Sequence, residues 1–294
     1  MIHFVNYNLK CWICGNEADS REHKHKKTDV NRAFKNVPTN DKYIGVFKSG
    51  EIERHVQGVD SKLLKFEKVI CQRCNNQSSQ PHDFAYEKFV AYILNNFDNI
   101  VNQKGRILLS EVFPTNTSTN QRNLFKYFIK QFGCRLAQSG ISISNSIIDY
   151  YFDWKKELNH FYVRFELDYD LLIALKKMKD ENLGCGNFYY APLNYLKPHK
   201  DSDDIDLVFS FYNNEWIRTR FFYSEKINTS DINWLNTYFE GDYLFFKIVS
   251  SFAPNEVENL SFDEFADKLK YAGLMKAKQP LIDKINEWLT KPFD

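Results

Sequence analysis

Two Cys-x-x-Cys pairs, Cys11-Trp12-Ile13-Cys14 and Cys71-Gln72-Arg73-Cys74, constrain this chain more than any other feature. Four thiolates at two short spacings match a tetrahedral structural zinc site. Gly15 follows the first pair and offers the turn that a knuckle needs. Four protein thiolates leave no open coordination position, so the expected role of Zn²⁺ is structural. The ion would clamp together the two ends of the stretch from Cys14 to Cys71. That stretch is longer than the span of a simple zinc ribbon, so it is expected to hold structure of its own. Cys134 and Cys185 have no partner at ligand spacing and read as plain thiols.

Composition bears on the setting of these cysteines. Six cysteines among 294 residues do not suggest a disulfide framework. The first residues, Met1 to Asn8, carry no basic leader followed by an apolar run, and no apolar stretch reaches the length of a membrane span. The expectation is a cytoplasmic, thiol-reducing setting with no membrane partner. Hydrophobic residues make up 43% of the chain, with 26 Phe and 17 Tyr, enough for a sizeable core and too many for a disordered protein. The net charge is only +1, yet residues 21–68 hold twelve Lys or Arg against seven Asp or Glu. The run Lys24-His25-Lys26-Lys27 lies in this part. A local positive patch of this kind attracts phosphates, although a short basic run is more often an ordinary solvated face.

Between the cysteine pairs stands Glu22-His23, and Asn75-Asn76 directly follows Cys74. The order Cys-x-x-Cys, acid-His, Cys-x-x-Cys-Asn resembles the zinc-containing branch of the HNH, or ββα-metal, endonucleases. The resemblance covers about the first third of the chain. It implies a strand ending in Glu22-His23, a second strand at Lys68-Val69-Ile70, and a helix opened by Asn75 or Asn76. It further implies that His23 is the general base of phosphodiester hydrolysis. Glu22 and Asn75 would then be oxygen ligands of a second, catalytic ion, Mg²⁺ or Mn²⁺, with His82 as a further candidate ligand. Asp83 is read instead as an acid favoured by the helix dipole. The sequence departs from the family in two ways: Glu22 replaces the commoner Asp, and no middle Asn stands in Phe66-Glu67-Lys68.

The fold class expected is α+β, with a zinc-stapled ββα-metal module over residues 1–100 and a mixed α+β domain over residues 101–294. In the first part, Thr28-Asp29 is expected to cap a short helix, and 43–47 with 51–56 reads as a hairpin inserted between the cysteine pairs. Pro81 suits the first turn of a helix running to Asn95. On it Tyr86, Phe89, Val90, Ile93 and Leu94 recur at helical spacing. In the second part the pattern predicts strands at 106–109, 161–167, 187–190, 206–211, 218–222 and 242–249. A helix capped by Asn120 should stop near Gly140, and terminal helices are expected at 262–265 and 281–289. The alternation of Arg218, Arg220, Phe221 and Phe222 is read as a strand with one face in a core rather than as a base-stacking surface.

The resemblance implies a metal-dependent endonuclease acting on DNA, of a type that serves in restriction, mobile elements or anti-phage defence. The C-terminal domain would recognise the target, bind a protein partner or form a homo-oligomer. Two alternatives stay open from the residues. One is a non-catalytic zinc-stapled module that binds nucleic acid or protein. The other is an RNA nuclease on the same scaffold, because hydrolysis through water does not separate DNA from RNA.

Overall fold

The protein is described by a computed structural model covering residues 2–33, 44–48, 51–56, 58–153, 160–180, 188–226, 239–240, 243–250, 261 and 264. The expected terminal helices and Cys185 lie outside the described residues. The chain is mixed α and β, and among the described residues no helix is long and apolar enough to cross a membrane.

The N-terminal third is built around the two knuckles. Helix α1 (Lys27–Ala33) follows the Glu22-His23 segment, and strands β1 (Ile44–Lys48) and β2 (Glu51–Val56) form the expected antiparallel hairpin. Asp29 does not cap α1. It is buried, and it accepts hydrogen bonds from Tyr86 Oη (2.8 Å) and Asn214 Nδ2 (2.7 Å). The two strands expected to flank the cysteines are not continuous. They shrink to single antiparallel bridges, Ser20 with Ile70 and His23 with Lys65. Arg73–Gln77 forms one π-helical turn, and α2 (Gln80–Asn95) begins directly after it, with Pro81 in its first turn.

Helix α3 (Phe97–Asn102), strand β3 (Arg106–Leu108) and helix α4 (Leu109–Val112) lead to the long helix α5 (Thr117–Gln138). Asn116, in a left-handed conformation, precedes α5. The expected cap, Asn120, lies inside the helix and donates to Thr115 O instead (2.8 Å). The helix stops as expected before Gly140, whose φ of +66° suits glycine. Then come α6 (Asn145–Phe152), β4 (Phe161–Asp168) and α7 (Tyr169–Asp180). Next are β5 (Phe188–Tyr190), β6 (Asn194–Leu196), β7 (Leu207–Asn214) and β8 (Ile217–Tyr223). The described part closes with β9 (Phe239–Glu240), β10 (Tyr243–Phe245) and β11 (Lys247–Val249).

The main sheet has the order β11-β4-β8-β7-β5, with β6 also paired to β7. All its pairings are antiparallel except β11 with β4. The single strand expected over 242–249 is two strands in two sheets. Phe246 turns inward between them, and its amide donates to Gly105 O (2.8 Å). On β8 the residues Ile217, Thr219, Phe221 and Tyr223 are buried, while Arg218 and Arg220 share the buried Glu166 on the other face. The arginines therefore belong to an ion-pair network on the sheet, as the core reading of this strand requires.

Helices α2 and α5 pack against each other and cover the sheet. Tyr86 stacks on Tyr127 with ring centroids 3.9 Å apart. Phe89 and Phe128 reach Phe165 on β4, and Phe132 stacks on Phe221 of β8 (5.0 Å). The same apolar cluster continues into Trp12, Ile13 and Ile70 beside the cysteines. The N-terminal segment reaches the later chain as well, with bridges from Ile2 to Ile205 and from Phe4 to Ile141.

Candidate functional site

Each cysteine pair sits on a tight turn. Gly15 N donates to Cys11 O (2.8 Å), and Gly15 has φ +73°, a conformation that favours glycine. In the second knuckle Asn75 N donates to Cys71 O (2.9 Å) and Cys74 N approaches Cys71 Sγ (3.5 Å). The backbone bonds Trp12 N to Val69 O (3.0 Å) and Ser20 N to Ile70 O (3.0 Å) hold the two turns side by side.

As a result the four sulfurs of Cys11, Cys14, Cys71 and Cys74 lie within 4.8 Å of one another. A tetrahedral Zn²⁺ with Zn–S near 2.3 Å needs sulfurs about 3.8 Å apart, and Cys14 Sγ to Cys71 Sγ is 3.6 Å. The donor set and its spacing fit a zinc ion. The thiols also bias one another. A hydrogen bond from Cys74 pulls Cys11 down to about 5, while its counterpart pushes Cys74 up, and burial pushes Cys14 up. Four neighbouring thiols cannot all ionise without a cation among them, and that is the charge state a zinc ion imposes.

Trp12, between the first two cysteines, anchors this site to α5. Its indole lies over Gly133, where a Cβ would fall 2.3 Å from the ring. The same indole stands edge-on to Tyr151 of α6 (6.1 Å), whose ring also stands edge-on to His82 (5.2 Å).

The extended segment Glu22-His23-Lys24 is held by Phe66 N to Glu22 O and Lys24 N to Leu64 O, both 2.8 Å. Successive side chains on such a segment point to opposite faces. Glu22 is buried. Its Oε1 accepts from Gln131 Nε2 (2.9 Å) and its Oε2 lies 3.3 Å from Lys130 Nζ. Lys130 is fully buried in α5 and also meets Asp83 Oδ1 and Ser79 Oγ, both at 3.1 Å. Burial pushes the Glu22 carboxyl up. For Lys130 burial opposes the charge, but Glu22 and Asp83 outweigh it and push the ammonium up. These two shifts favour different charge states of one pair. The ionised pair is the state we adopt, because Gln131, Ser79 and Asp83 then all find complementary partners. Asp83, set in the first turn of α2 as expected, pairs with Lys26 as well (3.2 Å).

His23 faces the other way. Its Nε2 is 3.7 Å from Asp60 Oδ1. Nε2 has no hydrogen-bond partner among the described residues, so its lone pair is free whenever Nδ1 carries the ring proton. Burial, then the nearby Lys65, push the imidazole below its ordinary range, against the pull of Asp60. Asp60 in turn holds Lys27 Nζ (2.5 Å) and Lys65 Nζ (3.6 Å).

The basic run Lys24 to Lys27 is therefore not one cationic face. Lys24 donates to Leu63 O (3.1 Å) and Lys26 pairs with Asp83 and Glu87. His25 is enclosed by the rings of Phe188, Tyr190 and Tyr212, where burial lowers its pKa to about 3. Of this run, Lys27 lies with His23 on the outer side.

Asn75 is buried. Its Nδ2 donates to Ser20 Oγ (2.9 Å), while Oδ1 has no partner among the described residues. His82 is buried too, with Nδ1 unpartnered and its pKa lowered to about 3 by burial. The divalent ion implied by the resemblance does not fit this arrangement. Both Glu22 oxygens are engaged, Lys130 already supplies the cation between Glu22 and Asp83, and His82 faces Tyr151. Among the described residues the four cysteines are the one group of three or more metal-ligating side chains.

Sequence reasoning missed Lys130, Gln131 and Asp60. Lys130-Gln131 did leave a signal, a charged and polar pair inside an otherwise apolar run from Tyr127 to Cys134. Comparison with known proteins finds no matching family model, no matching curated protein and no matching solved structure.

Proposed function

We propose that the chain is a zinc-stapled nuclease of the HNH type that hydrolyses phosphodiester bonds in DNA, with His23 as general base. The observation that carries this reading is an imidazole whose pKa burial lowers, beside two lysine ammonium groups that already share an anion. With the ring proton on Nδ1, His23 Nε2 can accept the proton of a water that attacks phosphorus. The new O–P bond forms as the bond to the leaving sugar oxygen breaks. Lys27 and Lys65 would offset the charge gathered on the phosphate oxygens. The zinc ion, bound by Cys11, Cys14, Cys71 and Cys74, would fix the segment that carries His23 without touching the substrate. Residues 101–294 would supply target recognition or a partner surface.

A specific observation favours a second reading. Lys130 neutralises the acid that the HNH chemistry needs for its metal ion, which suits a zinc-stapled module that binds nucleic acid without cutting it. One experiment separates the two. Wild type and His23→Ala, purified side by side with equal zinc content, are assayed on plasmid, linear and single-stranded DNA and on RNA, with and without added Mg²⁺ or Mn²⁺. Loss of a general base typically costs about 10²–10⁴ in rate, so cleavage by wild type alone supports the nuclease. Equal cleavage by both removes His23 from the mechanism. Binding without cleavage supports the second reading, and cleavage of RNA alone would assign the same base to RNA.

A further inference from the structure

The surroundings of His23 hold a carboxylate in the position where a substrate anion would sit. Asp60 lies between Lys27, Lys65 and His23, at 2.5, 3.6 and 3.7 Å. Its side chain is 63% exposed, against 45% for Lys27, 21% for Lys65 and 23% for His23. The exposed carboxylate thus sits outermost of the four, over an imidazole and an ammonium group that are more buried than itself. Close to this carboxylate, His23 Nε2 is inaccessible to solvent and has no hydrogen-bond partner among the described residues. At 3.7 Å Asp60 does not hydrogen-bond it either. The carboxylate is held instead by the lysines, chiefly Lys27. Asp60 directly precedes Ser61, which caps the short 3₁₀ turn Lys62–Leu64. The carboxylate itself is exposed, so its side chain can turn outward into solvent.

We infer that Lys27, Lys65 and His23 form a phosphate-binding site kept closed by Asp60 as an internal anion, which a backbone phosphodiester displaces on binding. The proposal rests on the reading of His23 as the group facing the scissile phosphate, and it adds the two lysines and a gate to that reading. The phosphate is the stronger competitor. It offers more oxygens to the two ammonium groups, and it arrives with neighbouring phosphates that the surrounding Lys and Arg side chains attract. Displacing Asp60 frees the ammonium groups for the substrate and uncovers the Nε2 lone pair in the same movement. The base is then exposed only when an anion is present to be attacked.

The test is a binding measurement, independent of turnover. Fluorescence anisotropy of a labelled short single-stranded DNA is recorded without added divalent ion for wild type and Asp60→Asn. A Glu67→Gln control changes net charge equally on another exposed acid. If the closed form predominates, its removal tightens apparent binding in proportion to the open fraction gained, here about ten-fold for a site open a tenth of the time. The expected result is that gain in Asp60→Asn, little change in Glu67→Gln, and loss of the gain when Lys27→Gln and Lys65→Gln are added. Inorganic phosphate as competitor tells a site for any phosphate from one that needs the strand. Competition at low concentration points to the lysine pair alone, and failure to compete points to the backbone diester.

Equal binding by wild type and Asp60→Asn overturns the inference, as does a gain that survives loss of both lysines. If Asp60 instead orients His23, the Asn variant binds no tighter and cleaves more slowly, which also overturns it. The two readings fail separately. A binding gain in Asp60→Asn with no effect of His23→Ala on cleavage leaves the phosphate site standing and removes the base. Loss of cleavage in His23→Ala with no binding gain in Asp60→Asn does the reverse.

Discussion

Replacing Gly133 with alanine should weaken the attachment of the cysteine knuckle to α5. In an exposed helix interior this change is favourable by about 1 kcal/mol, because alanine is the better helix former. Here the new Cβ would lie 2.3, 2.5 and 2.7 Å from three ring atoms of Trp12. Ordinary carbon contacts are about 3.5–4.0 Å, so the ring must retreat by roughly 1 Å or more. It has little room to do so. Trp12 is 3% exposed, its own amide is bonded to Val69 O, and Cys11 and Ile13 on either side are buried. Overpacking of this kind costs about 1–3 kcal/mol, and the depth of the overlap places it toward the upper figure. Subtracting the helix gain leaves a net loss of about 2 kcal/mol. The loss should be felt first at the sulfurs, because the ring is attached between two of them. Urea unfolding gives the stability, and the rate of zinc transfer to a chromogenic chelator reports the knuckle. Reduced stability with faster zinc release is expected. A Gly133→Ala protein as stable as wild type that keeps its zinc as long would refute the packing argument.

Two further outcomes follow from the buried charges. Lys130→Met leaves the buried Glu22 without its cation and Asp83 with Lys26 alone, and should destabilise the fold by about 3–5 kcal/mol in urea. Adding Glu22→Gln should return part of that loss, and unchanged stability in the single variant would show that the pair is not buried as described. His25 has a folded pKa near 3 against 6.5 unfolded, so its contribution is complete above pH 6.5 and is lost as pH falls toward 3. Between pH 7.5 and pH 5 that costs wild type about 2 kcal/mol. His25→Phe should lose less stability than wild type by that amount over the same interval. Parallel losses in the two proteins would mean that His25 is not held neutral by its aromatic surroundings.

What could be read from the sequence was local. The cysteine spacings, the stripe on α2 and the strand alternation of β4, β7 and β8 each concern a few neighbouring residues, and each marks an element that forms. The flanking strands of the acid-His segment were expected from resemblance alone. The chain makes only two bridges there, because Glu22 is drawn inward to α5 while His23 turns outward. Lys130 and Gln131 stand more than a hundred residues from Glu22 (Gln131 by 109), so no spacing rule could join them. Helix α7 passed unnoticed because it follows β4 without a breaker. Its signal was Asp168, whose carboxylate accepts from Leu171 N (3.1 Å) at the helix start. The strand expected over 242–249 divides at Phe246 because that residue serves the core and the backbone of Gly105, a demand set by distant residues.

The seat of Trp12 on Gly133 also carries a consequence in time. A ribosome delivers all four cysteines well before it delivers α5, so sulfur and metal can meet while the later chain is still being made. At that moment the indole has no glycine to lie on, Glu22 has no ammonium beside it, and Asp29 waits for Asn214. The metal can hold the first segment in shape, but its inner face stays unfinished until the rest arrives. Metal binding at the four cysteines can therefore precede the burial of that inner face, which waits for residues far along the chain.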